Sequence, residues 1–183
     1  MKYLIFSLSV VLLTTSCGYN CEGYDLEYTE VLAFRLGDTI QYQSDNLDTI
    51  ILVVEDFFAT EPTHFKGLVM CFECYEEAYY TTTKDEIYGI SIKEIDLLGS
   101  SYKEDIIFCD NDIYEMKSEQ KTYEVKSLDS LIIDNTTYKH VREVKDLSGE
   151  RRISGFLKAP HCGIIRFYDS ETKLTWTQIH NKK

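Results

Sequence analysis

The sequence predicts an all-β fold, a single antiparallel curved sheet of the sandwich or barrel-like kind with room for no more than a minor helix. Three observations carry this. Apolar runs are short and broken by Asp, Asn, Gly and Ser at spacings of about ten residues, the rhythm of successive strands and tight turns. Fourteen tyrosines and only two prolines, Pro62 and Pro160, accompany many Ile, Val and Thr, residue types that pack well on a pleated surface. Long helical periods do not alternate with strands, which argues against a doubly wound α/β fold.

The elements follow in order. Thr39–Ser44 alternates, with Ile40 and Tyr42 on one face. Ser44, Asp45 and Asn46 make a turn cluster. Residues 49–54 form a continuous apolar run, the pattern of a strand buried on both faces or nearly so. Residues 57–66 contain Pro62 and read as a loop. Residues 67–83 read as a long aromatic strand, residues 86–95 as another with Ile90 and Ile92 on one face, and residues 105–109 as a short one closed by Asp110, Asn111 and Asp112. Residues 128–133, the Asp134-Asn135 pair and residues 136–144 read as a hairpin. Tyr138, Val141 and Val144 recur at spacing three, which suits a helix or a bulged strand, and Thr136, Thr137 and the valines favour the strand. Residues 153–157, 163–168 and 174–179 complete the set, the last two as a hairpin over Ser170, Glu171 and Thr172.

The N-terminus carries a different signal. Lys2 precedes the apolar run from Tyr3 to Leu13, and Thr14, Thr15 and Ser16 lead to Cys17. A cation, a short apolar stretch and small residues are the parts of a secretory signal. Eleven residues of helix span about 16 Å, roughly half of a bilayer core, so the segment is too short for a permanent span. LLTTSC resembles the lipobox of bacterial lipoproteins, with Thr14 where that pattern usually has Leu, Val or Ile. The resemblance implies cleavage before Cys17 and lipid on that residue, with residues 1–16 as signal peptide, 17–27 as a lipidated tether and 28–183 as one β-rich domain. More than one acyl chain gives stable anchoring. Plain cleavage to a soluble periplasmic protein is the alternative. Gly18 in place of Asp gives no hint of inner-membrane retention, and Glu22 and Asp25 are too few for the acidic run that marks surface export. The outer membrane, facing the periplasm, is the expected address.

Loss of residues 1–16, which hold one Lys and no acid, takes the formal net charge from −12 to −13. Such a chain repels phosphate backbones, and its Lys/Arg clusters are no longer than Arg151-Arg152 or Lys182-Lys183, so nucleic acid is not an expected partner. The expected partner is the membrane, through the N-terminal lipid.

Several segments together, GDTIQYQSDNLDTIILVV (37–54), CFEC (71–74), LDSLIIDNTTYKHVREV (128–144) and GIIRFYDSETKLTW (163–176), resemble in order a group of small uncharacterised lipoproteins of Bacteroidetes-type bacteria. The likeness implies an anchored envelope protein and supplies no catalytic residue.

Beyond Cys17 the cysteines are Cys21, Cys71, Cys74, Cys109 and Cys162. In an oxidising envelope cysteines usually pair, and an odd set leaves at least one over. Cys71 and Cys74 form a C-x-x-C, but a working redox pair opens a helix whose N-terminus lowers the thiol pKa. The flanks here read as strand, where positions i and i+3 lie about 10 Å apart on opposite faces, beyond the reach of a mutual disulfide. Disulfides to other strands or buried thiols are the expectation. A thiol-redox or metal-handling role for Cys71 and Cys74 is the alternative, with Cys109 and Cys162 completing a four-thiolate zinc set that lacks its second C-x-x-C. No metal or cofactor is otherwise expected. His64, His140, His161 and His180 are scattered, and His161 and Cys162, as strand neighbours, would face apart. Asp110, Asn111, Asp112 and Glu115 lack calcium-loop spacing. Glu73, Glu76 and Glu77 among Tyr75, Tyr79 and Tyr80 suit either a sugar ligand or a solvated strand face with aromatic pairs, the second being favoured. Phosphate-loop, nucleophile-elbow and zincin motifs are missing. A non-catalytic binding or structural role is therefore the expected function.

Overall fold

The computed structural model describes residues 33–60, 63–64, 74–84, 87–97, 103–108, 112–115 and 122–179. They form twelve strands: β1 (Thr39–Ser44), β2 (Thr49–Ala59), β3 (Thr63–His64), β4 (Cys74–Thr82), β5 (Ile90–Leu97), β6 (Lys103–Phe108), β7 (Asp112–Glu115), β8 (Tyr123–Ile133), β9 (Thr136–Asp146), β10 (Ile153–Ala159), β11 (Gly163–Asp169) and β12 (Leu174–Gln178). All belong to one antiparallel sheet in the order β7-β6-β5-β4-β2-β1-β12-β11-β10-β9-β8, with β3 paired to β4. The fold is all-β, as the residue pattern predicts, and the described residues contain no α-helix. No helix among them is long and apolar enough to cross a membrane.

The sheet curls about one aromatic interior. Phe108 on β6 reaches Phe156 on β10 at 5.4 Å between ring centroids and Phe167 on β11 at 5.6 Å. Tyr114 on β7 meets Phe156 edge-on at 4.9 Å and Tyr123 on β8 at 6.1 Å. Its hydroxyl donates to the Ile153 carbonyl. The two end strands of the ladder are thus brought together by side chains, and no ladder joins them among the described residues.

Three bulges produce the curvature and reset the side-chain alternation. The β2–β4 register passes from Val54↔Thr82 to Asp56↔Thr81, leaving Glu55 extra. On β10 the step from Ile153↔Asp169 to Gly155↔Tyr168 leaves Ser154 extra. On β11 the step from Leu157↔Arg166 to Lys158↔Ile164 leaves Ile165 extra. Residues three apart then face the same way: Ile153 with Phe156, and Ile164 with Phe167, all in the main core.

Some strand expectations need correction. Residues 49–54 are not buried on both faces, since Ile50, Leu52 and Val54 are core while Ile51 is 57% exposed. The strand also runs on to Ala59, and Thr63–His64 pairs with β4, where the sequence suggested a loop across 57–66. Partnership with β4 supplies the hydrogen bonds that no local pattern announces. β7, including Glu115, occupies a stretch given to a turn, and β8 begins at Tyr123 rather than at residue 128. The expected run over 67–83 is seen as β4 alone, because residues 65–73 lie outside the described residues.

Two carboxylates pin the β9–β10 turn. Asp146 accepts from Ser148 Oγ at 2.8 Å and from the Gly149 N–H at 2.9 Å, and Arg151 pairs with it at 3.4 Å while lying over the Tyr114 ring at 4.5 Å. Asp169, fully buried, accepts from Arg152 at 2.7 and 2.9 Å, from Tyr88 Oη at 2.6 Å, and from the Glu171 and Thr172 N–H groups. Trp176 Nε1 donates to Tyr88 Oη at 3.2 Å. The Arg151-Arg152 pair, the longest internal basic cluster of the sequence, is thereby committed to buried acids instead of forming a solvent-facing patch.

Candidate functional site

The β8–β9 hairpin is longer than the strand it pairs with. Only β9 residues 142–145 pair with β10, so the outer part of the hairpin extends past that edge. Asp134 and Asn135 close it with φ of 48° and 65°, the double left-handed geometry of a tight primed turn. His140, also left-handed at φ 53°, breaks the alternation of β9, so Tyr138 and Val141 bury into one cluster although three apart. Val144, three further on, lies in the main core instead. The spacing of three, read as a strand, is thus a strand with a kink followed by burial on both faces of the sheet.

That second cluster consists of Ile133, Tyr138, Val141, Ala159 and Ile165, with Leu128, Leu131, Leu157 and Cys162 packed against it. Ile165 is the bulged residue of β11, so the bulge turns it away from the main core and gives the hairpin tip something to pack on. It also leaves Arg166 half-buried beside the tip.

Between the tip and strands β11, β12 and β1 lies a cleft of about 740 Å³, lined by residues that include Gln43, Asp45, Asp134, Tyr138, Arg166 and Gln178. Arg166 Nε donates to Thr177 Oγ1 at 3.0 Å, and the two residues are ladder partners, so the guanidinium is held by its near edge. No carboxylate pairs with Arg166 among the described residues. Burial raises the Tyr138 hydroxyl pKa, Cys162 and Asp134 raise it further, and Arg166 lowers it. Tyr138 thus stands within electrostatic reach of both Asp134 and Arg166. Gln178 is 8% exposed, and its Oε1 accepts no hydrogen bond among the described residues. Asp45 on the rim is used in part, accepting from the Thr175 N–H at 3.1 Å. Arg166 also borders a smaller groove of about 220 Å³ with Gly155, Leu157 and Tyr168.

The residues singled out in the sequence are not assembled into this cleft. Cys17, Cys21, Cys71 and Cys109 lie outside the described residues. Cys74 opens β4 opposite His64 of β3, so its backbone is strand and not the start of a helix. Cys162 carries a free thiol in the β10–β11 turn, and no disulfide occurs among the described residues. His161 and Cys162 are both in that turn rather than on a strand, with His161 left-handed at φ 61°. No group of three or more His, Cys, Asp or Glu suited to a metal occurs among the described residues. Of the acidic and tyrosine-rich set, Ala78 and Tyr80 turn into the core while Tyr79 stacks on Phe58 at 5.4 Å and Glu77 pairs with Lys93. Those contacts are an aromatic cross-strand pair and a strand-face ion pair. Glu73 and His180 are outside the described residues.

Arg166 and the cleft were not visible in the sequence. GIIRFYD reads as an ordinary strand, and only its two adjacent buried isoleucines, where alternation demands one, hint at a bulge. The fold and cleft define a curled antiparallel sheet with an auxiliary pocket on its outer surface. No family model, curated protein or solved structure matches the chain.

Proposed function

We propose that this protein is a membrane-anchored envelope lipoprotein with a non-catalytic binding role, its lipid on Cys17 and its binding site the cleft beside the β8–β9 tip. The observation that carries the binding role is the half-buried Arg166, held at one edge by Thr177 and unpaired with any carboxylate among the described residues of a strongly acidic chain. A charge kept in such a place without a counter-ion is arranged for a partner that arrives from outside. Asp134 adds an acceptor to the same lining. The anchor is supported by the apolar leader and the LLTTSC pattern. The outer membrane, periplasmic side, is its proposed address.

Two measurements test this. Labelling with a palmitate analogue is expected to mark the wild type and not Cys17→Ala, and an unlabelled wild type removes the anchor. A thermal-shift screen of the detergent-solubilised protein against a small-metabolite library is expected to find at least one stabilising compound. A library without effect on the melting temperature removes the binding role.

A further inference from the structure

The cleft carries a statement about the chemistry of what it holds, resting on the binding role above. Arg166 presents a planar fork. Its Nε is occupied by Thr177 Oγ1, and the outer nitrogens are the part left for a ligand. That end of a guanidinium matches the two oxygens of a carboxylate, making paired charge-assisted hydrogen bonds. Tyr138 stands within the field of the same guanidinium.

The other charges restrict the choice. Asp134 and Asp45 line the same cleft, and Asp134 makes no ion pair among the described residues. One cation facing two carboxylates disfavours polyanions, including nucleotides and highly sulfated sugars, because each further negative charge meets a like charge. A ligand with one carboxylate and hydrogen-bond donors elsewhere satisfies both ends, its donors meeting Asp134. The volume of about 740 Å³ falls in the range of small-molecule sites.

We infer that the cleft takes a small carboxylate, an organic acid or the carboxyl end of a short peptide, with Arg166 as its counter-charge and the aspartates of the rim excluding polyanions.

The test is calorimetric titration of the detergent-solubilised protein with lactate, acetyl-alanyl-alanine and glucuronate, each beside its uncharged counterpart: lactamide, acetyl-alanyl-alaninamide and glucose. At least one carboxylate is expected to bind, with its uncharged counterpart about tenfold weaker or more, the scale of one lost charge-assisted contact. Arg166→Gln is expected to lose about the same factor, and Arg166→Lys part of it. Asp134→Asn, a change that suits the left-handed turn position, is expected to tighten carboxylate binding by removing a like charge. The inference is overturned if the uncharged counterparts bind as well, if Arg166→Gln at an unchanged melting temperature binds as the wild type does, or if Asp134→Asn weakens binding. It also falls if none of the three acids binds while a neutral library compound does, and the binding role then stands. If neither acids nor library bind, both fall together. Preference among the three acids separates organic acid from peptide end.

Discussion

Tyr88 donates its hydroxyl to Oδ2 of Asp169 at 2.6 Å, across 81 residues of chain and between the loop before β5 and the end of β11. The carboxylate it serves is fully buried, and the same oxygen takes both hydrogen bonds from Arg152. This contact ties the two halves of the sheet at one end of the interior.

Asp169→Asn leaves the shape and removes the charge, so the Arg152 guanidinium loses its partner. Breaking a buried pair from one side is costly, and a loss of about 3 kcal/mol in urea-unfolding stability is expected. A loss below about 1 kcal/mol contradicts the tie. Tyr88→Phe removes one hydrogen bond and leaves the Trp176 N–H without its acceptor, with an expected loss of about 1–2 kcal/mol.

The same carboxylate sets an acid limit. Burial acts to raise its pKa, but Arg152, Tyr88 and the Thr172 and Glu171 N–H groups outweigh that and hold it at about 2. The folded value is therefore below the unfolded one. The stability it contributes is fully present above the ordinary carboxylate range and is lost as pH falls through that range toward about 2. Urea midpoints measured between pH 6 and pH 2 are expected to fall more steeply for the wild type than for Asp169→Asn. Parallel curves contradict this assignment.

Gly163 begins β11 at φ 66°, and a β-carbon there would lie 2.8 Å from Cε2 of Phe34. Phe34 in turn packs edge-on against Tyr80 at 5.4 Å. Gly163→Ala must strain the backbone and displace that ring, and a loss of about 2 kcal/mol or more is expected. Thermal unfolding of the variant at the wild-type temperature contradicts the packing.

His140 is exposed and left-handed in the middle of a strand. His140→Gly relieves the steric cost of that conformation, while His140→Val increases it. The glycine variant is expected to be as stable as the wild type or better by up to about 1 kcal/mol, and the valine variant less stable than both. A valine variant equal to the glycine one in a denaturant titration shows that the kink is not required.

Burial pushes the Cys162 thiol pKa up, so little thiolate exists at neutral pH. Iodoacetamide is expected to modify Cys162 in the native protein about tenfold more slowly than in the urea-unfolded chain, as followed by peptide mass mapping. Equal rates contradict its burial.

The residue pattern disclosed the strands wherever turn chemistry and alternation agree. Asp134-Asn135 and Ser170-Glu171-Thr172 are turns as read, and β1 has the bounds that its alternation suggests. Legibility ends where long-range pairing decides. β3 and the end of β2 are strands because β4 lies beside them. The bulge at Ile165 exchanges faces without an adjacent Gly or Pro to mark it, whereas the one at Ser154 lies beside Gly155. The cleft depends on the Ile165 bulge and on His140, so its residues are ordinary strand members until the hairpin tip is laid beside them. The cysteines drew attention because their chemistry is conspicuous, but a side chain's reactivity says nothing of where the fold will put it.

The meeting of β7 and β8 has a mechanical meaning. Tyr114 joins one end of the ladder to Tyr123, Phe156 and the Ile153 carbonyl. A seam fastened by rings can part by rotating side chains, without breaking a row of backbone bonds. Thermal breathing should begin there, and β8 meets it with Glu124, Lys126 and Asp129 exposed along its length. Charges so placed keep a briefly open edge from stitching itself to a neighbouring molecule.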